Sequence, residues 1–317
     1  MNYFESMHDL IGNTPMVKLS HLETGGKAGL FAKLELYNPS GSVKDRVGKY
    51  MIEDAERKGK LKPGSTIVEA TAGNTGLGIA FAALNRGYRV LFVVPDKFSM
   101  EKQMLMQALG AELIHTPRDG GMQEAVKRAE EIRASIPGAV SLKQFENPSN
   151  PKAHYDTTGP EIYEAMDGKI DAVVLGAGSG GTFSGILKYL KERSPTIRGV
   201  LADPVGSTIG GGEHGDYKIE GIGNDFVAGT MDMELVDQVI KVTDDEAFAA
   251  SRQLAEKEGI FAGTSSGAAL AAALRLEKTI TDGNIVMVFP DRGDRYFSAH
   301  LYQAVPLQTD RGKGGHL

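Results

Sequence analysis

The sequence contains no cysteine among its 317 residues. Disulfide bonds, thiolate catalysis and zinc–thiolate sites are therefore excluded. No uninterrupted apolar stretch reaches the roughly 20 residues that a membrane-spanning helix needs. The first residues, MNYFESMHDL, also lack the basic and apolar regions of a secretory signal. We therefore expect a soluble, cytoplasmic protein that does not bind membranes.

Positive charge is also scarce, because 35 lysine and arginine residues stand against 41 aspartate and glutamate residues. The net charge of −6 argues against nucleic acid as a partner, but it does not exclude a local site for a small anion. The seven histidines are scattered, without H-E-x-x-H or a similar spacing, so we predict no metal site.

The chain alternates between short apolar runs and segments with apolar residues at helical spacing. We predict strands at residues 30–35, 67–70, 90–94, 112–116, 172–175, 200–202 and 285–289. We predict helices at residues 43–57, 75–86, 100–109, 121–134, 181–193, 244–258 and 265–276. This alternation predicts an α/β fold built around mainly parallel sheets.

The length exceeds what one hydrophobic core usually fills, which predicts two lobes. The polar stretch 147–150, which contains Pro148 and is followed by Pro151, is the best candidate boundary. We expect an N-terminal lobe at 1–147, of which part of 10–36 crosses to the other lobe. A C-terminal lobe at 148–307 and a polar tail at 308–317 would follow.

Four glycines lie in the loop 176–182, which follows a predicted strand and opens a predicted helix. The free N–H groups and the dipole of a helix N-terminus bind phosphate, and glycine lets the backbone approach the anion closely. Gly176, Gly178 and Gly181 also fit G-x-G-x-x-G, and Asp203 ends the next strand, where a ribose-binding acid would lie. An NAD-dependent oxidoreductase is therefore an alternative, although it leaves the other polar loops unexplained.

The segment 263–267 fits G-x-S-x-G, the nucleophile elbow of hydrolases, with Ser265 at its centre. Asp291 or Asp294, and then His300, follow in hydrolase order. Only one convincing strand separates Ser265 from His300, and the pattern alone is weak, so we do not favour a hydrolase.

Two further segments place polar groups at predicted helix starts. The loop TAGNT at 71–75 has hydroxyl, amide and N–H groups that suit a carboxylate, although an ordinary helix N-cap would explain it alone. The segment YNPSGSVKDR at 37–46 places Lys44 in the first turn of a helix, where the helix dipole disfavours a protonated ammonium. A lysine with a lowered pKa is the form that makes Schiff bases, whereas most lysines are simply solvated.

Together these segments resemble the cysteine synthase and cystathionine β-synthase family, which are pyridoxal-phosphate (PLP) enzymes of fold type II. The resemblance extends from LIGNTP at 10–15 to DRY at 294–296, and PSGSVKDR at 39–46 and the order of the three loops are its most specific parts. It implies two three-layer α/β lobes, as in the tryptophan synthase β-like fold, with PLP in the cleft between them. It also implies a homodimer.

The resemblance implies roles for individual residues. Lys44 looks like the lysine that holds PLP as a Schiff base and moves the substrate Cα proton. Asn74 looks like the partner of the ring oxygen, and Ser265 like the partner of the pyridine nitrogen. The expected phosphate-binding residues are Gly178, Ser179, Gly180, Gly181 and Thr182. The expected substrate-binding residues are Thr71, Ala72, Gly73, Thr75 and Gln144, with Gly221 in a loop over the mouth of the site.

The implied reaction is β-replacement, in which O-acetyl-L-serine, serine or cysteine loses its β-substituent to a sulfur nucleophile. Sulfide would give cysteine, homocysteine would give cystathionine, and cysteine would give lanthionine. The same site could release hydrogen sulfide from cysteine. A serine opposite the ring nitrogen leaves that nitrogen less positive than an aspartate would, which favours immediate loss of the leaving group. A catalytically silent PLP-binding relative is a second alternative.

Two residues depart from the common cysteine synthase pattern. Ala72 stands where the carboxylate-binding loop usually carries serine, and Asp225 is an acid in a mouth loop that usually lacks one. Both look closer to cystathionine β-synthases and their bacterial relatives that use O-acetylserine. We expect Asp225 to lie near the entrance of the second substrate, where it would orient the amino group of homocysteine or cysteine, or a water. The alternative is that it caps the local turn.

Overall fold

The computed structural model describes residues 1, 3–96, 99–280 and 282–303. Its strands are β1 (Met16–Lys18), β2 (Gly29–Leu34), β3 (Thr66–Ala70), β4 (Arg89–Pro95), β5 (Glu112–Thr116), β6 (Ala172–Leu175), β7 (Arg198–Pro204), β8 (Gln238–Val242) and β9 (Asn284–Phe289). Its α-helices are α1 (Lys44–Arg57), α2 (Asn74–Ala83), α3 (Met100–Ala108), α4 (Gly121–Ser135), α5 (Ser149–Ala153), α6 (Gly159–Ala165), α7 (Gly181–Arg193), α8 (Asp244–Glu258) and α9 (Thr264–Glu277). None of the described helices is both long enough and apolar enough to span a bilayer.

The larger sheet has six strands in the order β1-β2-β9-β6-β7-β8. β1 runs antiparallel to β2, and the other pairings are parallel. Strands β6, β7 and β9 are almost entirely buried, as expected for parallel strands that are covered on both faces. Helices α8 and α9 pack on one face of this sheet, and α6 and α7 pack on the other.

The smaller sheet consists of β3, β4 and β5, all parallel. Helices α1 and α2 pack on one face of it, and α4 packs on the other. Both sheets are thus enclosed by helices, and the predicted α/β fold with mainly parallel sheets is confirmed. The division between lobes at 147/148 stays a prediction. The end of the predicted C-terminal lobe and the predicted tail, from residue 304 onward, lie outside the described residues.

Helices α1 and α2 cross closely at two glycines. A Cβ atom at Gly48 would overlap the carbonyl group of Gly78, and a Cβ atom at Gly78 would overlap the carbonyl group of Lys44. Any side chain at these positions would push the helices apart. The close crossing therefore holds the first turns of both helices, which begin at Lys44 and Asn74, next to each other.

A buried cluster of charges ties α1 to the larger sheet and to α6. Arg46 donates from Nε to Oε2 of Glu35 at 2.8 Å and from Nη1 to Oε1 of Glu161 at 2.7 Å. Lys33 Nζ lies 2.6 Å from Oε2 of Glu161 and 2.7 Å from the backbone oxygen of Thr14. Burial raises the pKa of Glu35, but the Arg46 guanidinium outweighs this effect and holds that pKa at about 2. Glu35 is therefore ionised at neutral pH, and each charged side chain of the cluster has a partner of opposite charge.

Most predicted elements end within two residues of the observed ones, and α2 is the largest difference. It ends at Ala83, whereas the sequence predicts a helix to Arg86. Leu84 is extended and Asn85 has a left-handed backbone (φ 62°), so the chain turns before it reaches Gly87. The short strand β1, strand β8 and helices α5 and α6 were not predicted.

Candidate active site

The predicted site segments follow the carboxyl ends of parallel strands. The Lys44 segment follows β2, Asp291 follows β9 and the glycine-rich loop follows β6, and these three strands are neighbours in the larger sheet. The loop that leads to Asn74 follows β3 in the smaller sheet. The two sheets meet at this edge, because the Asn74 side chain donates to the carboxylate of Asp291 at 2.6 Å. Ligands of parallel α/β sheets bind at such an edge.

Lys44 is the first residue of α1. Burial lowers the pKa of its ammonium group from the ordinary value to about 8, and the negative charge of Asp291 opposes part of this effect. None of the ion pairs among the described residues includes Lys44. About a tenth of the Lys44 side chains are therefore neutral amines at pH 7, a far larger share than for an exposed lysine. A neutral amine is the form that attacks a carbonyl group.

The glycine-rich loop forms a cradle at the start of α7. Gly180 has a left-handed backbone (φ 78°) and precedes the first residue of the helix. A Cβ atom at Gly178 would lie 2.7 Å from the backbone oxygen of Gly221, and Cβ atoms at Gly180 and Gly181 would overlap Met231 and Asn150. No described residue accepts a hydrogen bond from the backbone N–H groups of 178–182. The cradle therefore offers free donors at a helix N-terminus to an anion.

Two buried side chains hold this cradle in place. Asn150 donates to Oγ of Ser179 at 2.9 Å, and His154 Nε2 lies 3.1 Å from Oγ1 of Thr182. Burial, followed by the nearby charges of Lys44 and Arg46, lowers the pKa of His154 to about 3, so its ring is neutral at physiological pH. Neither residue was identified from the sequence, because nothing in the pattern around 150–154 shows that it packs behind the loop.

Ser265 lies in the first turn of α9 and is 3% exposed. The side chain of His300, the base that a hydrolase would need, is exposed, and none of the described hydrogen bonds joins it to Ser265. The G-x-S-x-G segment therefore does not form part of an assembled triad in the described structure. The start of α9 instead lies beside Asp291, because Gly263 N donates to the backbone oxygen of Asp291 at 3.0 Å.

The loop 71–75 joins β3 to α2. Thr75 donates from Oγ1 to Oε1 of Gln144 at 2.6 Å, and Thr71 Oγ1 accepts a hydrogen bond from a backbone N–H of α2. A Cβ atom at Gly73 would meet nothing within 4 Å, whereas Ala72 packs into the core of the smaller sheet. The structure thus brings two hydroxyl groups, an amide and a helix N-terminus together, which is a donor set that suits a carboxylate.

The predicted mouth loop lies against the cradle. Asn224 donates from Nδ2 to the backbone oxygen of Gly178 at 3.1 Å. Gly221 has a left-handed backbone (φ 84°), and a Cβ atom there would meet nothing within 4 Å. Asp225 is exposed, and among the described residues its carboxylate forms neither a hydrogen bond nor an ion pair. Asp225 therefore does not cap the local turn.

A salt bridge connects the mouth loop to α3, which packs beside the smaller sheet. Lys102 Nζ lies 2.6 Å from Oε2 of Glu220, next to Gly221, and 4.7 Å from the centre of the Tyr296 ring. Lys102 is buried, whereas Glu220 is half-exposed. This contact joins the mouth loop to a helix that packs beside the smaller sheet.

Asp203, the residue that a dinucleotide site would use, is not available to a ligand. It is fully buried, and its Oδ2 accepts hydrogen bonds from Lys241 Nζ at 2.6 Å and from Gly210 N at 3.0 Å. A ribose could not reach this carboxylate without displacing Lys241 and the segment around Gly210. The geometry therefore does not favour the oxidoreductase alternative.

The residues at this edge fit PLP. The cradle offers free N–H groups to a phosphate, and Lys44 supplies an amine with a lowered pKa. Three buried polar atoms without a partner among the described residues also lie here, namely Oδ1 of Asn150, Oγ of Ser266 and Oδ1 of Asp291. A polar ligand at this edge would supply partners for these three atoms.

The comparisons with known proteins agree with this geometry. Residues 7–291 match the family model described as pyridoxal-phosphate dependent enzyme. The chain is 48% identical over 304 residues to an O-acetylserine dependent cystathionine beta-synthase of Bacillus subtilis, covering 96% of this chain and 99% of the relative. It is 46% identical over 301 residues to a cysteine synthase of Staphylococcus aureus, covering 94% and 97%. A solved structure of a hydrogen sulfide-producing enzyme from Fusobacterium nucleatum has a TM-score of 0.89 and 38% identity, covering 93% of this chain and 100% of that one.

Proposed function

The chain belongs to the family of pyridoxal-phosphate dependent enzymes, and we propose that it catalyses β-replacement on O-acetyl-L-serine by a sulfur nucleophile. The observation that carries the proposal is Lys44, whose ammonium pKa is about 8, at the edge where the anion cradle and the carboxylate-binding loop meet. The names of the relatives support the choice of donor and reaction, since one is O-acetylserine dependent and another is a cysteine synthase. They do not favour the oxidoreductase alternative.

Lys44 moves the proton in this proposal. When bound, PLP withdraws electrons from the substrate Cα and so makes the Cα proton acidic. The neutral Nζ of Lys44 takes that proton as the β-substituent leaves, and the resulting ammonium returns it after the sulfur nucleophile has added. A pKa of about 8 suits both directions, because neither the protonated nor the neutral form is scarce near neutral pH.

The other residues bind and orient. The backbone N–H groups of Gly178, Ser179, Gly180, Gly181 and Thr182 bind the phosphate of the cofactor. Thr71, Gly73, Thr75 and Gln144 bind the substrate carboxylate, and Ala72 supplies a backbone N–H but no hydroxyl. The Ser265 hydroxyl would be the neutral partner of the pyridine nitrogen, and Asn74 would be the partner of the ring oxygen. Gly221 in the mouth loop leaves space for the substrate.

The acceptor is less narrowly defined than the donor. We propose that the exposed Asp225 carboxylate meets the amino group of a second substrate, which would favour homocysteine or cysteine over sulfide. The products would then be cystathionine or lanthionine, with cysteine from sulfide as the simpler product. With cysteine as the donor, the same steps release hydrogen sulfide, and a structural relative is named for that product.

We also propose a cytoplasmic homodimer with a lobe boundary at 147/148. The dimer follows from the resemblance of the sequence to its family, and the boundary follows from the polar stretch 147–150. Sedimentation of the purified protein tests the dimer, and limited proteolysis tests the boundary.

The visible absorption spectrum tests the function. The purified protein should be yellow, and O-acetyl-L-serine should replace its band with one at longer wavelength. The band should then return on addition of sulfide, cysteine or homocysteine, and the fastest of the three identifies the acceptor. A protein that stays colourless with added PLP would overturn the proposal. A yellow protein whose band does not respond to any donor would be the catalytically silent relative.

A further inference from the structure

Asp291 is a buried carboxylate with an incomplete set of partners. It follows β9 and is 1% exposed. Its Oδ2 accepts hydrogen bonds from Asn74 Nδ2 and from the Tyr296 hydroxyl, each at 2.6 Å. Its Oδ1 is buried without a partner among the described residues, and none of their ion pairs includes Asp291. A buried charge that is not paired with a cation destabilises a protein, so a functional reason is expected.

The partners of Asn74 fix the direction of its amide group. Arg295 donates from Nη1 to Oδ1 of Asn74 at 2.5 Å, while Asp291 accepts from Nδ2 of Asn74. A guanidinium can only donate and a carboxylate can only accept, so the amide cannot be flipped without two repulsive contacts. One N–H of Nδ2 is used by Asp291, and the other has no acceptor among the described residues.

The backbone of Asp291 connects the two helix starts that carry the predicted cofactor contacts. Val43 N donates to the backbone oxygen of Pro290 at 2.8 Å, and Gly263 N donates to that of Asp291 at 3.0 Å. A Cβ atom at Gly263 would overlap Oδ1 of Asp291, so this oxygen lies against the entrance of α9. The carboxylate therefore lies among the Lys44 segment, Asn74 and the start of α9.

We propose that Asp291 is a positioning residue which holds the Asn74 amide with an N–H group toward the cofactor ring, and whose buried carboxylate places a negative charge beside the Lys44 segment. The inference rests on the proposed function, because it assumes that PLP is bound at Lys44. In the sequence, Asp291 stands out only as a possible acid of a hydrolase triad, and the inference gives it a different role.

The charge effect can be isolated above about pH 7, because the neighbouring groups titrate outside this range. Burial raises the pKa of Asp45, the residue that follows Lys44 in α1, to about 6. Lys44 is faced by Asp291 and by His154, whose pKa is about 3. Burial, with the charge of Asp291 next, raises the pKa values of Tyr296 and Tyr302 above the ordinary tyrosine range. The Arg295 guanidinium faces Asn74 from the other side of its amide. Between about pH 7 and pH 9, a titration of the visible band therefore reports on the lysine-bound nitrogen.

The test compares two substitutions in the PLP-loaded protein. Asp291→Asn keeps the shape and an oxygen that accepts from Asn74, but it removes the charge. We expect the apparent pKa of the visible band to fall by about one unit or more, because a nearby negative charge no longer favours the protonated nitrogen. We expect PLP affinity to stay within a few-fold. Asp171→Asn is the matched control, since Asp171 binds Asn284 N at the opposite end of β9, and it should leave the band unchanged.

Asp291→Ala removes the acceptor as well, and PLP affinity should fall at least tenfold. Combined with Asn74→Ala, it should cause no further loss, because the carboxylate acts on PLP binding through Asn74. A band pKa that is unchanged in Asp291→Asn would overturn the charge effect, and additive losses of affinity would overturn the positioning role. A colourless wild type would overturn the proposed function and this inference together, whereas a yellow wild type with unaffected variants overturns the inference alone.

Discussion

Two groups of buried charges lie on either side of the first turn of α1. Behind Arg46, the four charges of Lys33, Glu35, Arg46 and Glu161 are all paired at 2.6–2.8 Å. Around Lys44, two residues away, no ion pair among the described residues includes the lysine or Asp291. Paired charges stabilise a scaffold, whereas unpaired ones change pKa values and leave groups free to react. The first turn of α1 thus lies between a charge cluster that stabilises the fold and a lysine that is available for chemistry.

The largest expected effect concerns the reactive side of this comparison. Lys44→Ala should abolish the visible band and lower the rate of β-replacement on the order of 10⁴-fold or more, since both the cofactor bond and the proton carrier are lost. In the absence of PLP its free energy of unfolding should not fall, because a buried ammonium without a partner is removed. Spectra, initial rates and urea unfolding measure these three quantities.

Lys152→Ala is the control for this prediction. Lys152 is exposed and pairs with Asp156 on the outside of α5, away from the cradle. It should change neither the band nor the rate. A Lys44→Ala protein that stayed yellow, or that unfolded several kcal/mol more easily without PLP, would show that Lys44 belongs to the scaffold.

The next largest effect concerns the paired charges around Arg46. Arg46→Met keeps most of the side-chain volume but leaves Glu35 buried without its partner, which costs about 3–5 kcal/mol of unfolding free energy. Urea unfolding measures it. Arg89→Met breaks the exposed pair with Glu112 and should change stability little. Equal losses in both variants would mean that burial of the Arg46 cluster has no energetic consequence.

The pH dependence of the unfolding free energy is a second test of the Glu35–Arg46 pair. The pKa of Glu35 is about 2 in the folded protein and close to 4.5 when unfolded, so the unfolded chain binds the proton more readily. The stabilisation is fully present above about pH 4.5 and is lost as the pH falls toward 2, which amounts to roughly 3 kcal/mol. Unfolding curves between pH 5 and pH 2.5 should show this loss in the wild type and a smaller one in Glu35→Gln. Parallel curves would contradict the assignment.

The sequence predicts the elements of this molecule well, because their signals are local. The capping box at Thr243 and Glu246 and the left-handed Gly259 bound α8 where the pattern predicts it. The turn that ends α2 early is less readable, because Asn85 adopts a conformation more typical of glycine.

The residues of the candidate site also fall into those that local sequence identifies and those that only the fold brings together. The cradle, Lys44 and the carboxylate-binding loop are contiguous segments with their own chemistry, and the sequence identifies them. Asp291, Asn150 and His154 act through contacts with residues that lie 28–217 positions away along the chain. No local pattern encodes such contacts, so only the fold shows that Asp291 faces Asn74.

The smallest predicted effect concerns Asp225, a charge that is unpaired because it is exposed, not buried. Asp225→Asn should leave the unfolding free energy unchanged, since its carboxylate has no partner among the described residues. It should lower the rate with cysteine or homocysteine by about five-fold relative to the rate with sulfide, because an exposed charge contributes about 1 kcal/mol to an ammonium contact. Asp167→Asn, an exposed carboxylate near the amino edge of β6, is the control and should leave the ratio of rates alone. If Asp225→Asn changed the unfolding free energy and left the ratio of rates unaltered, Asp225 would have a structural role, like the paired charges around Arg46. Its exposed carboxylate would then not contact the second substrate.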